Sequence, residues 1–341
     1  MVLLRRIIFI AALAAITGSL VSCQKNSPAK EVVLYCSVDQ AVAEPIIARF
    51  EKETGIKVLA RFDTEASKTV GLVQKIRAEK SNPAADVFWS SEIFYTIRLG
   101  HEELFEPFES ETVVNWPKTF MDQNRRWYAF GLRGRVIAYN TNKVTEAQAP
   151  SSLEDCLEHE WKNRVVMARP QFGTTGGDVA SWFALYGKEE AEKILQRLKN
   201  NGIRIVSGNS TAVRMVSTGQ ADICFTDTDD VYAGKRNGWP IGMKMLRRAG
   251  KGTLTIPNTA AIVRGAPHPE NAGRLMDFLL GGEAEIMLLQ SDSHNWPVMP
   301  GTHSDNDAYN EYRIPDPLEI DYKLVADNLE YALRKTGEIL D

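Results

Sequence analysis

The residues of this chain that can do chemistry lie where apolar, strand-like runs give way to polar residues. Asp39 follows the run 32–37, and Glu92 follows the run 86–89 through Ser90 and Ser91. Thr174, Thr175 and Gly176 lie in Gly173-Thr174-Thr175-Gly176-Gly177, just after the run 164–168. Asn209 follows 203–206 within Ser207-Gly208-Asn209-Ser210, and Thr228, Asp229 and Asp230 follow 222–225. Arg133, between Gly131 and Gly134, adds a cation. Carboxylates attract cations, and the free backbone N–H groups at a helix start attract anions. A site with both suits a ligand of both signs, either a metal ion with its anion or a zwitterion. Each feature also has an ordinary structural reading. A glycine stretch is a common turn, acidic residues at a helix start complement its dipole, and a lone arginine is commonly solvated.

These positions require elements to hold them. The runs 32–37 and 86–89 suit strands buried on both faces. Ile46, Ile47 and Phe50 recur at helical spacing within 43–54, which stops at Gly55. Val70, Val73 and Ile76 do the same within 67–79. Further strand-like runs at 56–62, 135–139, 164–168, 203–206, 222–225, 243–246 and 255–263 alternate with helical segments. Those segments begin near 93 and continue at 178–186, 189–200, 211–218, 270–280 and 283–289, with a last helix over about 318–339. Such alternation predicts βαβ units and mainly parallel sheets. In open sheets of that kind ligands bind beyond the carboxyl ends of the strands, where the polar residues above are found.

Composition narrows the class. The 341 residues carry 40 basic and 44 acidic side chains, and 44% are hydrophobic. This excludes a disordered tail protein, a collagen-like fibre and a polytopic membrane protein. The length suits two domains or one large one. A net charge of −4 argues against a nucleic-acid partner. Four cysteines do not make a disulfide scaffold, and the apolar surroundings of Cys36 and Cys224 predict buried thiols.

The N-terminus sets the compartment. Arg5 and Arg6 precede an uncharged apolar stretch, 7–21, that is short for a membrane span. Leu20-Val21-Ser22-Cys23 resembles a bacterial lipobox, so residues 1–22 read as an export signal and Cys23 as the lipidated first residue of the mature chain. An uncleaved anchor helix is the alternative. Residues 23–31 are polar, contain Pro28 and read as a tether. The bulk of the chain is then expected in the periplasm or at the cell surface, anchored to a membrane. Loss of Arg5 and Arg6 takes its charge from −4 to −6.

Catalysis finds little support. There is no GxSxG elbow, HExxH or Cys/His pairing. His101, His159, His268, His294 and His303 are scattered, and no nucleotide motif is present.

Longer matches point to a family. The run 33–58 (VLYCSVDQAVAEPIIARFEKETGIKV), Ala85-Asp86-Val87-Phe88-Trp89-Ser90 and the crossover Arg133-Gly134-Arg135-Val136-Ile137-Ala138-Tyr139-Asn140-Thr141 appear in order. Trp161-Lys162-Asn163-Arg164 and Gly219-Gln220-Ala221-Asp222 follow. Over roughly 32–300 the chain resembles the solute-binding lipoproteins of bacterial ABC importers, in their ferric-iron-binding branch. The resemblance implies an α/β, two-lobed, type II periplasmic-binding-protein fold, each lobe a mixed, mainly parallel sheet flanked by helices. Lobe 1 is expected to take 32–130 and 255–295, and lobe 2 131–254 and 296–341, with a hinge between them. It implies a monomer that captures ferric iron, with or without an anion, and delivers it to a permease, with no resident cofactor. By position, Thr174, Thr175 and Gly176 form the anion-binding turn, with Asn209 opening the next helix. Asp39 stands at the family's histidine position, Asp229 and Asp230 stand at its tyrosine pair, and Glu92 lies one position beyond its glutamate. Tyrosinate is a hard oxygen ligand that must first lose a proton, whereas aspartates are hard oxygen donors already ionised at neutral pH. Asp39, Asp229 and Asp230 are therefore the expected metal ligands. The alternative cargo is a small zwitterion or organic cation, such as an aminoalkylphosphonate, a polyamine or thiamine. Such a cation would want an aromatic wall, for which Trp89, Phe172 and Trp239 are candidates.

Overall fold

The computed structural model describes residues 30–63, 68–299, 301, 302 and 307–341. In chain order, β1 (Glu31–Cys36), α1 (Gln40–Thr54), β2 (Lys57–Phe62), α2 (Val70–Ala78), β3 (Val87–Ser90), α3 (Phe94–His101) and β4 (Phe105–Glu106) form a first run. The long strand β5 (Tyr128–Asn140) leads to β6 (Val165–Ala168), α4 (Gly173–Tyr186), α5 (Lys188–Asn200), β7 (Arg204–Val206) and α6 (Asn209–Ser217). Then come β8 (Ile223–Asp227), α7 (Thr228–Arg236), β9 (Ile241–Met245) and the short pair β10 (Arg247–Arg248) and β11 (Gly252–Thr253). The chain finishes with β12 (Thr255–Val263), α8 (Pro269–Leu279), α9 (Gly282–Gln290) and α10 (Tyr322–Leu340).

The main sheet runs β2-β1-β3-β12-β5-β8-β6-β7. β2, β1 and β3 are parallel, as are β8, β6 and β7. Between these wings β12 and β5 run antiparallel. β5 changes partners along its length. Tyr128 to Gly134 pair with β12, and Arg135 to Tyr139 pair with β8. Alternation explains the unbroken apolar character of β1. Val32, Leu34 and Cys36 pack with Ile46, Ile47 and Phe50 of α1. Tyr35 points the other way, into a cluster with Leu72, Val73 and Ile76 of α2. Cys36, Cys156 and Cys224 are buried and unpaired. None of the described helices is long and apolar enough to cross a membrane.

Two expected boundaries move for physical reasons. The strand expected at 135–139 is the second half of β5, whose first half is interrupted in pattern by Gly131 at φ +55° and by Arg133. The helix expected from 178 starts at Gly173, so the glycine stretch is the first turn of α4 rather than a loop. Its glycines serve close packing. A Cβ on Gly177 would lie 2.0 Å from the Phe94 ring of α3, and one on Gly176 would lie 2.5 Å from the Pro170 carbonyl oxygen.

α3 starts at a buried carboxylate. Glu92 accepts hydrogen bonds from the backbone N–H of Phe94 (2.7 Å) and Tyr95 (3.2 Å) and is 1% exposed. Burial raises its pKa to about 7, against the opposing pull of the Tyr95 and Phe94 N–H groups and Ser90. The folded chain therefore keeps this proton up to about pH 7, whereas the unfolded chain releases it near the ordinary 4.5. Between those values the unfolded state binds fewer protons, so stability falls as pH rises. Urea unfolding of Glu92→Gln should show a relative gain over the parent of about 1 kcal/mol or more between pH 5 and pH 7. An unchanged difference would contradict the buried-carboxyl reading.

Candidate functional site

The chemistry concentrates where β8 passes into α7. The buried run Ile223, Cys224 and Phe225 carries Asp227 to the strand end, and Asp229 and Asp230 follow in the first turn of α7. Oxygens of Asp227, Asp229 and Asp230 all lie within 4.8 Å of one another. That crowding needs compensation. Arg135, fully buried in β5, donates to Asp227 (2.8 Å) and to Asp178 (3.0 Å), and Arg248 also donates to Asp178. Thr174 and the Asn209 amide (3.2 Å) donate to the other oxygen of Asp227. Burial disfavours the charge of Asp227, but Arg135 and Arg133 outweigh it and hold the carboxyl below its ordinary pKa. Asp229 pairs with Arg133 at 2.9 Å, yet burial lifts its pKa. Asp230 has only the Thr226 hydroxyl (2.8 Å) as a hydrogen-bond donor to its carboxylate among the described residues. Burial, with Asp229 and Asp227 beside it, drives its pKa well above the usual range.

Three cavities adjoin this cluster, the smallest, about 10 Å³, lying among Asp39, Lys68, Arg133 and Asp229. The inner one has a volume of about 30 Å³ and is bounded by Lys68, Arg133, Thr174, Thr175, Asn209 and the three aspartates. The outer one, about 240 Å³, shares Asp229 and Asp230 and adds Asp39, Val42, Val213 and Trp239. The inner space suits a small ion, whereas the outer one has room for an organic group.

The expected site residues divide accordingly. Arg133, Thr174, Thr175, Asn209, Asp229 and Asp230 converge on the inner cavity. Thr175 donates to the Asn209 side-chain oxygen at 3.1 Å. Asp39 stands at the outer rim, exposed, with its carboxylate on Lys68 at 2.6 Å, outside the group of three aspartates. Three residues are engaged elsewhere. Glu92 caps α3. Gly176 makes room for the Pro170 carbonyl, and the Thr228 hydroxyl accepts from the Gly134 N–H at 3.3 Å. Cys23 lies outside the described residues. Among the aromatic candidates, Trp89 is fully buried against Phe130, Phe172 borders the inner cavity and Trp239 the outer one.

Sequence reasoning passed over Asp227 and Lys68. Asp227 is the last residue of β8, two after buried Phe225, and that spacing was the available signal. Lys68 was placed inside a helix expected from 67. In the structure α2 starts at Val70, so Lys68 lies in the connection that leads into it.

Residues 45–313 match the family model of the bacterial extracellular solute-binding protein. Iron uptake protein A1 of Synechocystis is 28% identical over 282 residues, covering 80% of this chain and 77% of the relative. The major ferric iron-binding protein of Neisseria meningitidis is 26% identical over 291 residues, covering 84% and 83%. Among solved structures, iron-bound HitA from Pseudomonas aeruginosa superposes with a TM-score of 0.79 at 27% identity, covering 90% of this chain and 99% of that one. The fold is that of the type II periplasmic binding proteins. A matched segment of this length makes the chain a binding protein rather than an enzyme, a member of the bacterial extracellular solute-binding protein family.

Proposed function

We propose that the chain captures ferric iron outside the cytoplasm and hands it to an ABC permease. The observation that carries this reading is the group of three carboxylates, within 4.8 Å of one another, beside a cavity sized for an ion. Hard, charged oxygen donors suit a highly charged cation. Asp229 and Asp230 are the central ligands in this reading, with Asp227 behind them and Asp39 at the rim. Arg133, Thr174, Thr175 and Asn209 supply donors for an accompanying anion. The relatives named for ferric iron support the choice of cargo.

The same reading gives the chain two lobes, 32–130 with 255–295 and 131–254 with 296–341. The change of partners along β5 supports a hinge there. It places the protein as a monomer, tethered to a bacterial membrane through lipid on Cys23. A small zwitterion is the second reading, favoured by the presence of Lys68 and Arg133 in the same cavity as the acids.

Native mass spectrometry and metal analysis of the protein as purified from cells separate the two readings. Bound iron is the expected result, and an organic ligand without metal would overturn the iron assignment. A substitution sharpens the test. Asp230 is the carboxylate of the group that lacks an ion-pair partner among the described residues, so its anionic form is costly in the fold until a cation offsets it. Asp230→Asn should bind Fe(III) at least about tenfold more weakly, equivalent to ~1.4 kcal/mol, in an equilibrium titration. The same variant without metal should be at least as stable as its parent to thermal unfolding at pH 7, because the cost of burying or protonating that carboxyl is gone. Equal iron affinity would remove Asp230 from the site.

A further inference from the structure

Lys68 makes two contacts that a ligand would also make. Its ammonium sits on the Asp39 carboxylate at 2.6 Å. Its carbonyl oxygen accepts the backbone N–H of Gly173 at 3.2 Å, the first residue of α4 and the start of the expected anion-binding turn. The residue that follows Lys68 is held firmly. Thr69, the next residue, is fully buried and adopts φ +69°, a costly conformation for a β-branched side chain. The Thr69 hydroxyl donates to Ser37 Oγ at 3.2 Å, at the end of β1. Lys68 itself borders the inner cavity beside Arg133 and the three aspartates.

We infer that Lys68 is a specificity-determining residue that acts as an internal stand-in for the ligand, its ammonium occupying the cation position at Asp39 and its carbonyl occupying an anion donor at Gly173. A ligand that competes for Asp39 with a higher positive charge displaces that contact, so Lys68 selects against weakly charged cations and against anions arriving alone. The Lys68–Asp39 pair is solvent-accessible on the Asp39 side, so its contribution is modest and a cation of higher charge can replace it. This inference rests on the proposed metal reading of the site.

The test is an equilibrium titration with Fe(III), supplied as its nitrilotriacetate chelate, of the full chain and of Lys68→Met, Lys68→Gln and Lys68→Arg. Each is made with Asp39 intact and with Asp39→Asn. Thermal melts show which variants are folded, and the Met and Gln forms back each other up. With Asp39 intact, Lys68→Met and Lys68→Gln should bind iron about three- to tenfold more tightly, and Lys68→Arg should stay near the parent. In the Asp39→Asn background the gain should vanish, because the Lys68–Asp39 contact is no longer there to displace. Unchanged or weaker binding by folded Lys68→Met and Lys68→Gln would overturn the inference and leave the metal reading standing. A gain that persists with Asp39→Asn would also overturn it, since general charge repulsion would then explain the effect. Absence of iron binding by the parent and every variant would instead remove the metal reading, and this inference with it.

Discussion

Carboxylates cannot crowd into a buried space unless something neutralises them, and that constraint organises this molecule. Asp178 and Asp227 are tied down by Arg135 and Arg248 deep in the fold, where all four side chains are essentially inaccessible. Asp229 is answered by Arg133 and Asp39 by Lys68. Among the described residues, Asp230 has a hydroxyl donor, no ion-pair partner and two negative neighbours. A protein that sets one carboxylate of such a group against two others accepts a cost in stability. That cost becomes a driving force when a cation arrives.

The scaffold explains how this group is held in place. Arg135 projects from the half of β5 that pairs with β8, directly opposite Asp227 in the ladder. Arg133, two residues earlier on β5, reaches the Ser91 carbonyl beyond β3 as well as Asp229. One strand thus carries both guanidiniums, and the two meet acids from one turn. The Asn258 side chain donates to the Gly131 carbonyl oxygen (2.8 Å), and Glu285 accepts from the Gly131 N–H (3.0 Å), fixing the point at which β5 leaves its regular path. Carboxylates and guanidiniums held in this way would need little reorganisation to receive a charged ligand.

Much of this architecture was legible in the residues. The apolar runs at 32–37 and 255–263 and the helical spacing of Ile46, Ile47 and Phe50 identify their elements, because packing against both faces of a sheet leaves that pattern in the chain. The acids of α7 were found from their place after a strand. Other features depended on three-dimensional facts. The glycines of α4 read as a turn, and only the approach of Phe94 shows why a helix needs them. Glu92 looked like a free carboxylate at a strand end, but the N–H groups of α3 take it up. Lys68 was hidden by a helix boundary shifted by a few residues, and the left-handed Thr69 that sets that boundary has no signature in residue type. Arg135 looked like an ordinary strand residue until its buried partners, distant in sequence, were in place.

The central claim is that the turn from β8 into α7 holds a cation. Anomalous diffraction at the iron absorption edge, from crystals grown with ferric nitrilotriacetate, tests it most directly. The account predicts a strong anomalous peak in contact with the carboxylates of Asp229 and Asp230. A peak elsewhere in the molecule, or none with the inner cavity filled by an organic molecule, would contradict it.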